Sequence, residues 1–253
     1  DFCLSRGLGD VYKRQVYRDM VHTMFAHAGA VRIDHVLGLF RLWWIPQGEG
    51  AKNGAYVTYN VDAMIAILTI EASRADGLVI GEDLGTVPNY VRKVLASHGV
   101  LGTVVEWFAR VDDSPNAGDP YDDPTNYRKY ALASVTTHDL PPTAGYLQFE
   151  HVQLRERLHL LTESVESFQA SATAERQAML NRLRTLGLIS DEEADDADSR
   201  IPQIVEAMHA MLRKSPSLLI QAALVDGVGE RRTQNQPGTS DQYPNCLLYT
   251  SDA

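Results

Sequence analysis

Apolar and polar positions along this chain follow two rhythms that alternate. Over residues 16–30, Val16, Met20, Met24 and His27 or Ala28 recur at helical spacing, until Gly29 stops the pattern. The apolar run Ala30–Ile33 then predicts a buried strand ending at Asp34 and His35. A loop rich in glycine and aromatic residues, GLFRLWWIPQGEGAKNGAYV, leads to a predicted helix over 62–74, whose Met64, Ile65, Leu68 and Ile70 suit one face. The unit of strand, long connection and helix then repeats. A strand over 77–80 ends in GED, and a helix over 88–95 opens at Pro88, where proline is tolerated. Further strands are expected over 103–108, over 131–136 ending in THD, and over 217–224. Strands alternating with helices imply parallel pairing and βα units.

Residues 150–214 break this alternation. They are rich in Arg, Glu, Ala and Leu and predict two or three helical segments, broken near Gly187 and at Pro202, inserted between strands. The run DEEADDAD at 191–198 reads as a solvated turn between helices and is assigned no function.

The chain has 253 residues, 44% of them hydrophobic and 22% charged, enough to bury a sizeable core. With 23 Lys and Arg against 33 Asp and Glu, its formal charge of -10 argues against nucleic acid or an anionic membrane as partner and fits a neutral one such as a sugar. No window has the apolar length needed to cross a bilayer and residues 1–30 lack a signal-peptide pattern, so the cytoplasm is the expected compartment. Cys3 and Cys246, one near each end, cannot build a disulfide framework or a four-cysteine zinc site. Residues 1–15 and 246–253 show no core periodicity and are expected to be non-native, adapter-derived segments.

Three acidic residues follow predicted apolar strands: Asp34 in VRIDH, Glu82 in LVIGEDLG and Asp139 in SVTTHDLP. In a barrel of parallel strands, such positions converge on one mouth. A carboxylate there is either functional or locked in a structural ion pair, and three in matching places favour function. Two carboxylates across a glycosidic bond suffice for its cleavage: one, ionised, attacks the anomeric carbon, and the other, protonated, assists the departing oxygen and then activates the acceptor. Arg32 shares a strand face with Asp34 and supplies positive charge beside it. His138 and Asp139 can bind sugar hydroxyls and steady the charge that develops at the ring. Among the aromatics after Asp34, Trp43, Trp44, Tyr56 and Tyr59, Tyr56 is the candidate for sugar contact, while at least one tryptophan is expected to pack on the body of the fold. His22, His27, His98 and His151 lack partners at ligand spacing, and GEDLG lacks the pattern of a nucleotide loop.

The segments RIDHVLGLFRLWWIP, GAYV, IGEDLGTVP, TTHDLP and NQPGTSDQYPN, in this order, resemble the amylomaltases of glycoside hydrolase family 77, in the α-amylase clan, over about residues 16–245. The resemblance implies an α/β fold, the later strands of a (β/α)8 TIM barrel with a helical insertion at 150–214, and earlier strands that precede Val16 in the family. It implies a 4-α-glucanotransferase acting on α-1,4-glucans and maltooligosaccharides with no cofactor or metal. Asp34 would be the nucleophile, Glu82 the general acid/base and Asp139 the transition-state stabiliser, with Arg32 and His138 in the innermost sugar subsite. Two alternatives stand beside this one. A metal-dependent barrel hydrolase would use His35, Glu82, His138 and Asp139 as ligands, although no HxH or HExxH pair is present. A non-catalytic glucan-binding module would keep the aromatics and use the carboxylates as hydrogen-bond acceptors.

Overall fold

The computed structural model describes residues 2–85, 87–111 and 119–246, with side chains from residue 14 onward. The suspected trailing segment lies outside these residues except for Cys246. The fold is mixed α/β, and two compact units can be distinguished: residues 1–103 with 130–132, and residues 104–129 with 133–253.

In the first unit, α1 (Phe2–Phe25) runs unbroken through residue 15, where the sequence suggests a boundary. Among its described side chains Val21 and Phe25 are buried and Tyr17 is partly buried, whereas Val16, Met20 and Met24 are exposed. The expected stripe is therefore one position out of place. Both stripes repeat every four residues, so spacing cannot choose between them, and the one containing two aromatic rings removes more apolar area from water. β1 (Ala30–Ile33) pairs in parallel with β4 (Leu78–Gly81). The expected long loop between β1 and the next helix is in fact a β-hairpin, β2 (Arg41–Trp44) against β3 (Ala55–Thr58). α2 (Val61–Arg74), capped by the Asn60 side chain, buries Ile65, Leu68 and Ala72, but Ile70 faces solvent. It lies two residues beyond Leu68, on the far side of the helix. α3 (Asn89–Ser97) follows Pro88 and buries Val91 and Leu95.

The chain then enters β5 (Gly102–Val105), reached from β4 through a parallel bridge between Ile80 and Leu101. β5, β6 (Ala131–Ser134) and β7 (Leu219–Gln221) are hydrogen-bonded in that order. These strands are shorter than the apolar runs predict. After Val105 the chain tightens into a 3-10 turn at Glu106–Phe108, and after Ser134 it bends toward the THD motif.

Helices dominate the second unit: α4 (Thr143–Leu147), α5 (Glu150–Arg157), α6 (Val165–Thr185), α7 (Asp191–Asp195), α8 (Ile201–Leu212) and α9 (Leu224–Gly227). The acidic run, expected as a turn, opens as a short helix over Asp191–Asp195 and ends in a turn over 196–198. Ser190 and Glu193 form a reciprocal capping box, the acids of the first turn suit the positive helix end, and Ala194 and Ala197 point into the core. Pro202 does not break a helix either; it sits in the first turn of α8, where no N–H is required of it. α6 and α8 contribute Met179, Leu180, Leu183, Ile204, Met208, Met211 and Leu212 to a core shared with Trp107 and Leu147. Among the described residues no helix is long and apolar enough to cross a membrane.

Candidate active site

Four of the six expected site residues lie in the first unit. In the parallel register Ile33 stands opposite Gly81, so Asp34 and Glu82 leave adjacent strands side by side. Neighbouring strands are about 4.8 Å apart. Glu82 stays tied to β1, donating its N–H to Ile33 O at 2.9 Å and accepting from Val36 N–H at 3.0 Å. A regular parallel ladder would send His35 N–H to that carbonyl. His35 instead adopts a left-handed backbone, φ 48° and ψ 60°, and its N–H turns to Glu82 Oε2 at 2.9 Å. Leu84 N–H donates to Oε1 at 2.6 Å. Both oxygens of a partly exposed carboxylate are thus held by backbone donors, which lose no side-chain entropy in doing so.

Asp34 is more open, with 54% of its side chain exposed, and its Oδ1 lies 2.7 Å from Arg32 Nη1. The two side chains share a face, as their spacing requires. At this exposure the pair adds little stability; it orients the carboxylate.

Tyr56 sits on the hairpin directly across from Trp43, with ring centroids 4.9 Å apart in an edge-to-face contact. The Arg41 guanidinium covers Tyr56 at 4.1 Å. Trp43 and Trp44 are both exposed, contrary to the expectation that one packs inward. Their indole N–H groups are nonetheless satisfied, by Ala51 O and by Tyr59 Oη. Gly54 is required here, since a Cβ would lie 2.3 Å from the Trp43 ring nitrogen.

The remaining two, His138 and Asp139, lie in the second unit, in a turn beyond β6 rather than at its end. Thr136 Oγ1 closes that turn on Pro141 O at 2.9 Å, and Thr137 Oγ1 accepts from Asp139 N–H. His138 Nε2 is 3.3 Å from Asp139 Oδ1, and Asn235 Nδ2 donates to the same oxygen. The NQPGT…YPN segment supplying Asn235 folds on itself: Gln236 N–H meets Asn245 Oδ1, Asn245 Nδ2 meets Thr239 Oγ1, and Tyr243 Oη meets Thr233 O. Gly238, at φ 86°, makes the turn.

Sequence reasoning gave no role to three further polar groups. Asn235 lies in the NQPGTSDQYPN motif but received no role. Asp83, adjacent to Glu82, is buried. Glu106 ends β5 as Glu82 ends β4, yet it is fully buried, accepts from Tyr127 Oη at 2.8 Å and is ion-paired with Arg182 of α6. Burial raises its proton affinity against the pull of Arg182. The signal was an acid following the apolar run TVV, hidden because that run seemed to continue through Phe108.

A family model described as 4-alpha-glucanotransferase, glycoside hydrolase family 77, matches residues 12–250. A 4-alpha-glucanotransferase of Mycobacterium tuberculosis is 51% identical over 229 residues, 90% of this chain and 31% of the relative. One from Haemophilus influenzae is 36% identical over 231 residues, 90% of this chain and 32% of the relative. The crystal structure of amylomaltase from Corynebacterium glutamicum matches with a TM-score of 0.83 at 40% identity, over 91% of this chain and 33% of that one. Amylomaltase from Streptococcus agalactiae in complex with acarbose matches at a TM-score of 0.55 and 19% identity, covering 87% and 37%, a likeness of fold alone. The chain spans about a third of the length of these relatives.

Proposed function

Since this chain belongs to glycoside hydrolase family 77, we propose that it carries the catalytic carboxylates of a 4-α-glucanotransferase that transfers α-1,4-glucan segments between maltooligosaccharides. Residues 16–245 are read as the later part of a (β/α)8 barrel, with β1, β4, β5, β6 and β7 as successive staves and 150–214 as the insertion. The order of pairing, in sequence along the sheet, supports that architecture.

The observation that carries the functional reading is the placement of Asp34 and Glu82 at the same level on adjacent parallel strands. Side chains leaving adjacent strands about 4.8 Å apart at the backbone can reach one glycosidic bond together, as a double displacement requires. In the first step Asp34 attacks the anomeric carbon as Glu82 gives its proton to the departing glycosidic oxygen. Glu82 then takes a proton from the acceptor hydroxyl, whose oxygen displaces Asp34. Two inversions give retention, and a sugar acceptor in place of water gives transfer. Arg32 holds Asp34 toward the sugar, and Tyr56 offers a ring for stacking. Asp139, aligned by His138 and Asn235, holds ring hydroxyls where positive charge develops.

The test is maltotriose disproportionation by the chain extended to the full length of its relatives, followed by proton NMR. Glucose and longer maltodextrins with newly formed α linkages are expected. β-Configured products at early times would refute the double displacement.

A further inference from the structure

We propose that Asp83 is a positioning residue for Glu82, setting the proton donor from the side opposite to β1. The inference rests on the acid/base role proposed above and extends it to a residue with no assigned part in the reaction.

Glu82 stands at a fork in the sheet. Toward β1 its own backbone continues the ladder through Ile33 and Val36. Toward β5 the ladder runs regularly, Leu101 N–H to Val79 O at 2.9 Å and Gly81 N–H to Leu101 O at 2.7 Å. The next rung should be Thr103 N–H to Gly81 O. It is replaced: Thr103 N–H donates to Asp83 Oδ1 at 2.9 Å, while Thr103 Oγ1 takes Gly81 O at 3.1 Å. A side-chain carboxylate therefore stands in for a backbone acceptor at the point where the chain leaves the sheet.

The Asp83 side chain is only 1% exposed, and a buried carboxylate is costly unless paired. Arg92 of α3 faces it, Nε lying 3.5 Å from Oδ2 and an Nη reaching Asp83 O at 3.4 Å. Glu82 is one peptide away, and the donor to its Oε1, Leu84 N–H, is the residue after Asp83. The direction of that N–H is set by the path of the chain through Asp83. Loss of the Asp83–Thr103 rung would free residues 83–85 to swing and carry the Leu84 donor with them, leaving Glu82 held from the His35 side alone.

The reaction separates such a defect from general damage. A glycosidic oxygen needs the proton of Glu82 as its bond to carbon breaks, whereas fluoride departs with the bonding electrons and little help. In the full-length protein, Asp83→Ala should lower kcat/KM for maltotriose about 100-fold, the scale of a misplacement near 1 Å. The first-turnover burst of fluoride from α-maltosyl fluoride, which reports glycosylation of Asp34 alone, should keep a rate within about threefold of the parent, since Asp34 is untouched. Asp83→Asn keeps an oxygen for Thr103 N–H and should recover most of the maltotriose activity. If Asp83→Ala does not fold, Asp83→Ser, whose hydroxyl is one bond too short for that rung, carries the same expectation. An equal loss on both donors, or no loss on either, overturns the proposal. Glu82→Gln, measured in parallel, keeps the two ideas apart. If it fails to spare the fluoride, the acid/base assignment itself is wrong; if it spares the fluoride and the Asp83 variants do not, only the role of Asp83 falls.

Discussion

Glu82 and Glu106 occupy the same place in the local plan, each the first residue after a short apolar strand. Their fates differ completely. Glu82 is partly exposed and its two carboxyl oxygens accept from two backbone N–H groups, which fix its orientation. Glu106 is sealed from solvent and clamped by Arg182 and Tyr127. The difference arises in the chain that packs around each strand end. After Glu82 the backbone turns away through Gly85, at φ 78°, whereas Glu106 is covered by α6, which brings the compensating cation. An acid at a strand end thus becomes a candidate catalyst only if nothing closes over it.

The strongest challenge to this comparison is removal of the exposed pair. In the full-length protein, Asp34→Asn should abolish glycosyl-enzyme formation from any donor, because no nucleophile remains. Glu82→Gln should lower maltotriose turnover by roughly 10²–10⁴-fold while still forming the glycosyl enzyme from α-maltosyl fluoride. Mass spectrometry of the trapped intermediate distinguishes them; identical behaviour with the fluoride would show that the two roles are misassigned.

Breaking the buried pair should instead cost stability. Arg182→Met strands the Glu106 carboxylate in the core and should destabilise by roughly 3–5 kcal/mol. Replacing both partners, with Glu106→Leu added, should recover much of that loss in a denaturant titration. Activity per folded molecule should change far less than in Glu82→Gln. A single variant that proves as stable as the parent would mean that Glu106 is not held as described.

The same core predicts an acid response. His151 is buried in a stack on Tyr146, with Phe168 at its edge, and burial with a smaller contribution from Arg155 pushes its pKa down to about 4. The unfolded chain, with a histidine pKa near 6.5, binds the proton more readily. Stability is therefore full above about pH 6.5 and declines as pH falls toward 4, by about 3 kcal/mol in total. His151→Phe keeps a ring in the stack and should flatten that slope. Glu230, held down to about 2 by Arg232, loses its contribution only at still lower pH, so the two windows separate. Thermal midpoints measured from pH 4 to 7 give the answer, and an unchanged slope in the variant would exclude His151 as its source.

The smallest effect belongs to the acidic run. Ser190→Ala removes one half of the α7 capping box and should cost about 1 kcal/mol in stability with turnover unaltered. A drop in turnover would show that the acidic helix has a part in function after all.

Much of the arrangement was legible in the order of residues. β1 begins and ends where its apolar run does, and the Arg32–Asp34 pair follows from a period of two. These depend on near neighbours, and local spacing records them directly. The buried face of α1, the seat of Glu82 and the clamp on Glu106 were not legible, because each depends on a partner far along the chain. His35 and Glu82 are 47 residues apart, and Glu106 and Arg182 are 76 apart. Sequence alone marked Asp34, Glu82 and Asp139 as candidate acids, each placed after an apolar run. Tertiary structure decided which carboxylate is left open and which is covered, since desolvation depends on what packs over a group and periodicity carries no record of that.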